Sequence, residues 1–143
     1  MLIDKFKKDA NIEGPLKKRT TPMNDNLEMA DREIGGVFGP TCRKHIGGLL
    51  FLARSCRPDI SSAVGILSRF LDKWNTECDV GLLQLFGYLE STVDLKLTWR
   101  FGERTCIPRL IGFVDADHAG CLESMKSTSG ANVFFFAGPA CLG

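Results

Sequence analysis

Asp115 and Asp117 stand two residues apart at the end of an apolar run that climbs through Leu110, Ile111, Phe113 and Val114. Side chains along a strand alternate with period two, so both carboxylates fall on one side of it. Hard cations such as magnesium are held by one or two carboxylates together with substrate phosphate oxygens, and an Asp-x-Asp at a strand end suits phosphoryl-transfer chemistry. The pair is half of such a metal site. The same spacing also arises in surface turns, where aspartate bonds its own backbone, and the residue types leave both readings open. His118 and Cys121 have a spacing that could bind a metal, but two ligands do not make a site.

A second pattern is basic. The tract from Ile34 to Pro58 contains Arg43, Lys44, Arg54 and Arg57 and no acidic residue, which makes it the best candidate surface for a phosphate backbone. Solvated helix faces carry basic residues for no such reason, so binding and plain solvation are both open here. Lys17, Lys18 and Arg19 form a smaller basic cluster in a loop.

The elements that must position these residues follow from spacing. Leu2, Ile3, Phe6 and Ala10 predict a short amphipathic helix over residues 2–10. From Gly14 to Pro40 glycine and proline punctuate the chain and no period persists, so this stretch is the linker candidate. Ile46, Leu49, Leu50 and Ala53 predict a helix over 41–55, weakened by Gly47 and Gly48 unless the pair admits a neighbouring backbone. Pro58 and Asp59 open the next helix, lined by Ile60, Ala63, Val64, Leu67 and Leu71. A further helix runs from about Asp79 to Glu90 with Leu82, Leu85, Phe86 and Leu89 as its stripe. The period then switches. Leu95, Leu97, Trp99 and Phe101 alternate with polar residues as a half-buried strand, a second strand spans about Leu110 to Ala116, and a third, Asn132 to Ala137, is expected to be buried on both faces or central in its sheet. Helices first and strands last predict an α+β arrangement in two parts.

Composition narrows the classes. A chain of 143 residues with 44% hydrophobic content can bury a real core, and 18 basic against 17 acidic residues leave a formal charge of +1, so no global field favours nucleic acid or membrane. Six cysteines without a Cys-x-x-Cys pair predict free thiols and a reducing compartment. The N-terminus lacks the continuous apolar core of a secretory signal, and the longest charge-free apolar tract, in the C-terminal tail, is shorter than the roughly 20 residues of a bilayer helix. An intracellular protein without signal peptide or transmembrane segment is expected.

Several segments together resemble a known family. RPDISSAVGILSRF at 57–70, preceded by HIGGLLFLA at 45–53, resembles the segment just after the polymerase palm in the Pol polyprotein of copia-type LTR retrotransposons. TTPM at 20–23 is similar to that family's Thr-Pro-Met loop, YLESTVDLKLTW at 88–99 to its Tyr-Leu-Lys-Gly-Thr segment, and GFVDADHAG at 112–120 with KSTSG at 126–130 to the opening of its ribonuclease H domain. The order is the family's own.

The resemblance implies a Pol fragment: residues 1–93 as the C-terminal part of reverse transcriptase, with thumb- and connection-like helices, and residues 94–143 as the N-terminal strands of a truncated ribonuclease H-like sheet. It implies a cytoplasmic particle or the nucleus as location, an RNA–DNA hybrid and the remainder of Pol as partners, no membrane, and magnesium as the parent family's ion. The family's first catalytic aspartate falls on Asp115. Its polymerase hairpin, Tyr-Val-Asp-Asp, has no counterpart here, and no acidic residue follows Glu123, so the two-ion cage is incomplete, no tightly bound ion is expected and catalysis by the chain alone is not. Departures from the family pattern are His118 for tryptophan, Cys121 for aspartate, Met125 for arginine, and Glu90 and Ser91 for Lys-Gly, changes compatible with a copy released from selection. Two other classes stay open: a non-catalytic hybrid-binding module using Arg43, Lys44, Arg54 and Arg57, and a small metal-dependent hydrolase built on Asp115 and Asp117. A sheet cut after two or three strands is expected to expose an apolar face around Val133 to Phe136.

Overall fold

A helix of eight residues is marginal in water unless its apolar side packs on something. The first helix, α1 (Leu2–Asp9), solves this by burying Ile3 and Phe6. It stops where Asn11 adopts a left-handed backbone with φ 51°, and Ile12 N–H bonds back to Lys7 O at 2.9 Å. The computed structural model describes residues 2–24, 35–95, 109–117 and 128–136. These residues form helices and a small antiparallel sheet, an α+β architecture, in two compact units, Met1–Leu97 and Thr98–Gly143.

In the first unit, α2 (Cys42–Ser55) turns Cys42, His45, Ile46, Leu49 and Ala53 inward. A 3-10 turn at Pro58–Ile60 leads into α3 (Ser61–Ser68), whose Ala63, Val64 and Leu67 continue the buried stripe begun by Ile60. The longest helix, α4 (Thr76–Ser91), begins three residues before the expected Asp79, because the Asn75 side chain caps it by accepting from Cys78 N–H at 2.9 Å. Phe6 of α1 stacks flat on Phe86 of α4, with ring centroids 3.8 Å apart and planes 4° from parallel, and His45 meets both rings edge-on. Leu50, placed on the apolar stripe by spacing, lies at the edge of the core and is exposed.

The linker expectation for residues 14–40 is corrected where the chain is described. Residues 11–24 form a strap tied across α4. Leu16 N–H donates to Glu90 Oε2 at 2.6 Å, Arg19 N–H to Ser91 Oγ at 3.1 Å, and Gln84 Nε2 to Asn24 Oδ1 at 2.9 Å. A linker would leave α1 apart from the later helices, whereas Phe6 lies in their common core.

The strap comes so close to α4 that only glycine fits at position 87: a Cβ there would sit 2.5 Å from Lys17 O. Alanine favours a helix interior over glycine by about 1 kcal/mol, but displacing a backbone segment costs about 1–3 kcal/mol, so the strap decides the outcome. Gly87→Ala is therefore expected to lower the urea midpoint. At Gly47, on the exposed side of α2, a Cβ meets nothing within 4 Å, and Gly47→Ala is expected to raise stability by about 0.5–1 kcal/mol. Equal signs for the two substitutions in urea denaturation would refute the close approach. At Gly48 the neighbour is the Leu2 side chain, 2.8 Å from an added Cβ, rather than a backbone.

The second unit contains a two-stranded antiparallel sheet, β1 (Arg109–Asp117) and β2 (Thr128–Phe136), in continuous register from Arg109 opposite Phe136 to Asp117 opposite Thr128. The expectation that the Asn132–Ala137 strand is central or buried on both faces is corrected: among the described residues β2 pairs with β1 alone, and Val133 is 64% exposed. Leu110, Phe113 and Val114 of β1 are likewise exposed, as expected of a sheet with few strands. The strand predicted over Leu95–Phe101 lies outside the described residues from position 96 onward, and Leu95 itself is exposed.

Candidate functional site

Asp115 lies on β1 opposite Gly130, in the half of the hairpin next to its connection, and is exposed. Its Oδ1 accepts from the N–H of Ala116 at 2.9 Å, the local backbone bond that the turn-like reading of Asp-x-Asp anticipates. Asp117 occupies the register position opposite Thr128 at the strand end. Among the described residues no three His, Cys, Asp or Glu side chains come together in a group able to hold a metal ion. An exposed carboxylate already bonded to its own chain does not fit the several-carboxylate clamp that two-ion hydrolysis requires, and no step through magnesium is derived. His118 and Cys121 lie outside the described residues.

The four basic candidates separate. Arg43 and Lys44 are exposed on the N-terminal half of α2, and each has an acidic neighbour: Arg43 Nη2 lies 2.5 Å from Asp72 Oδ1, and Lys44 Nζ 2.5 Å from Asp9 Oδ2. The bond from Lys44 holds the Asp9 carboxyl below its ordinary value. Exposed pairs of this kind contribute little and yield readily to a competing polyanion. Arg54 is exposed at the C-terminal end of α2 and has no ion-pair partner among the described residues.

Arg57 is different. It is 6% exposed, and its guanidinium forks onto the Asp59 carboxylate, Nε to Oδ1 at 3.0 Å and Nη2 to Oδ2 at 2.8 Å. Its remaining donors reach α4's end: Nη1 donates to Thr92 O at 3.1 Å and Nη2 to Thr92 Oγ1 at 2.7 Å. The Tyr88 hydroxyl donates to Asp59 Oδ2 at 2.8 Å while Arg57 lies over the Tyr88 ring, 5.5 Å from its centroid. The hydrogen bonds from Arg57 hold the Asp59 carboxyl below its ordinary value, Asp59 in turn raises Arg57, and burial followed by the Asp59 carboxylate pushes Tyr88 up. In this setting Arg57 joins the start of α3 to the end of α4 and its donors face protein. Spacing assigned Asp59 only to a helix's first turn; Tyr88, the single tyrosine of the chain, was the signal that a polar partner lay on α4.

Glu90 and Ser91 also have definite partners. Glu90 pairs with Lys7 of α1 while accepting from Leu16 N–H, and the bond from Lys7 lowers its carboxyl. Ser91 accepts from Arg19 N–H and donates to Gly87 O at 2.7 Å. Both residues hold the strap and α1 against α4.

A retrovirus-related Pol polyprotein from transposon TNT 1-94 of Nicotiana tabacum is 30% identical over 131 residues, covering 87% of this chain and 10% of that protein. A transposon Ty5-1 protein of Saccharomyces cerevisiae is 33% identical over 93 residues, covering 65% of this chain and 29% of the relative. The two similarities support a retrotransposon Pol origin. The secreted RxLR effector protein 161 of Plasmopara viticola is 36% identical over 85 residues, 59% of this chain and 58% of the effector. The chain thus spans between 10% and 58% of the length of these relatives. No family model and no solved structure matches it. Among the described residues no helix is long and apolar enough to cross a membrane.

Proposed function

We propose that the chain is a segment of a copia-type Pol polyprotein running from the end of reverse transcriptase into the opening strands of a ribonuclease H-like domain, without catalysis of its own. One observation carries this reading. The similarity to the tobacco Pol polyprotein covers 87% of the chain, more than the helical unit or the hairpin unit could supply alone, so it runs through both. The helical unit then corresponds to thumb- and connection-like helices, and the Asp115 hairpin to the first strands of the nuclease sheet. Asp115 is the position of a former metal ligand.

The experiment is direct: the purified chain is incubated with a labelled RNA–DNA hybrid and magnesium, beside the Asp115→Asn variant. Both are expected to leave the hybrid intact. Magnesium-dependent cleavage by the parent chain that disappears in the variant would overturn the reading and favour a small metal-dependent hydrolase.

A second reading, a non-catalytic module that grips a hybrid, is favoured by the exposure of Arg43, Lys44 and Arg54 along α2. Each phosphate contact should steepen the logarithmic salt dependence by about 0.9 on duplex or 0.7 on single strands. If α2 binds the hybrid, replacing these three by glutamine flattens a salt-dependent gel shift, whereas Arg57→Gln lowers stability because its charge is turned toward Asp59. An unaltered shift in the triple variant excludes α2 as the binding face.

A further inference from the structure

His45 is the buried titratable group that the proposed function leaves without a role. It is 3% exposed on α2, edge-on to Phe6 of α1 at 5.1 Å, to Phe86 of α4 at 6.1 Å and to Phe38 of the preceding turn at 6.4 Å. Its Nε2 is buried and has no hydrogen-bond partner among the described residues. The nearest anion, Asp9 Oδ2 at the C-terminal end of α1, is 4.0 Å from Nε2, beyond hydrogen-bond reach, and is held by Lys44. A neutral imidazole serves here as a fourth ring of an aromatic cluster. A protonated one would place a charge among three phenyl rings with its new N–H unsatisfied.

We propose that His45 is a proton-operated release for α1. When the imidazole is charged, the contact it makes with Phe6 no longer favours docking, and α1 lifts off α2 and α4, opening the cluster to water. α1 is the part that yields because it is a short helix held through few side chains, whereas α2 and α4 bury long stripes of their own. The charges acting on the imidazole are Asp9 of α1, which favours protonation, and Lys44 of α2, which opposes it; α4 and the turn before α2 present Phe86 and Phe38. Burial outweighs Asp9 and holds His45 below its ordinary value of 6.5.

The sign follows from linkage. With α1 released, His45 regains an ordinary value and takes up a proton first, so docking is full above about pH 6.5 and weakens as pH falls below it. At about pH 5.5, one unit below the exposed value, the gain of the released state is capped at about tenfold. The depressed carboxyls of Asp9, Asp59 and Glu90 are ionised whether α1 is docked or free at this pH, so they do not contribute to the change, and the His45→Phe variant separates histidine from the α-amino group beside Asp4.

The test is amide hydrogen exchange between about pH 7.5 and 5.5, corrected for intrinsic rates, in a His118→Gln background so that His45 titrates alone. The Ala10 amide, bonded to Phe6 O at 2.9 Å, and the Ile12 amide are expected to lose up to about tenfold protection, while amides within α4 keep theirs. His45→Phe, which retains the ring and removes the proton site, is expected to abolish the loss. Unchanged protection in the parent chain, or the same loss in His45→Phe, would overturn the proposal. If that variant fails to fold, the imidazole titration followed by nuclear magnetic resonance decides: an ordinary or raised value with α1 still protected also overturns it.

Discussion

Replacing Asp59 by alanine is expected to lower the stability of the helical unit by about 1–3 kcal/mol, because it leaves the buried Arg57 guanidinium without the carboxylate that its Nε and Nη2 donate to. For a unit of this size that corresponds to a fall in melting temperature of roughly 5–20 °C. The reason is asymmetry rather than the strength of the pair. A buried ion pair gains little over apolar neighbours, but a buried charge left alone is costly. Leu in place of Asp59 together with Met in place of Arg57 is therefore expected to recover most of the loss, and the coupling in that double-mutant cycle measures the interaction. A loss below about 1 kcal/mol for Asp59→Ala would mean that Thr92 and Tyr88 suffice to solvate the guanidinium. Acid behaves as a softer version of the same change. The Asp59 carboxyl is held below 3.8 in the folded state, so its contribution is complete above that value and is lost as pH falls through the lowered one. Acid unfolding of the parent chain should thus be steeper than that of the Arg57→Met, Asp59→Leu chain.

Asp79→Ala is expected to cost a similar amount by a different route, about 2 kcal/mol or more. The Asp79 carboxylate is 7% exposed and collects three donors: the Trp74 indole N–H at 2.7 Å, Val37 N–H at 2.5 Å and Phe38 N–H at 3.1 Å. The Trp74 and Phe38 N–H groups are buried, and each buried donor deprived of its acceptor costs about 1–3 kcal/mol, whereas Val37 is exposed and water can replace its acceptor. Loss of these bonds frees the turn that delivers Phe38 to the aromatic cluster, so Trp74 fluorescence should shift to the red even where helical circular dichroism persists. Retention of the parent emission would show that the turn is held by packing instead.

Some of this was legible in the sequence, and the division has a physical cause. The stripes of α3 and α4 were read correctly at Ala63, Val64, Leu67, Leu82, Leu85, Phe86 and Leu89, because burial on one helix face repeats every 3.6 residues and leaves its mark within the element itself. The ties of Asp59, Asp79 and Glu90 left no such mark. Asp59 meets Tyr88 across 29 positions, Asp79 meets Val37 across 42 and Glu90 meets Lys7 across 83, and periodicity carries no information at those separations. The strap was missed for the same reason: glycine and proline announce irregular backbone, but what that backbone packs against depends on residues far along the chain. For the candidate site, the residue types of Asp115 and the exposure of Arg43, Lys44 and Arg54 could be anticipated, whereas the inward turn of Arg57 could not. Glu90 and Ser91, two of the five departures from the copia pattern, turn out to fasten the strap. The other three lie outside the described residues.

The stacking of Phe6 on Phe86 has a consequence for how the protein is made. A ribosome adds about 5–20 residues per second, so Phe6 is added roughly 4–16 s before Phe86, its stacking partner on α4. Through that interval Phe38 and His45 are the ring partners open to Phe6, and the flat stack that completes the cluster has to wait for α4.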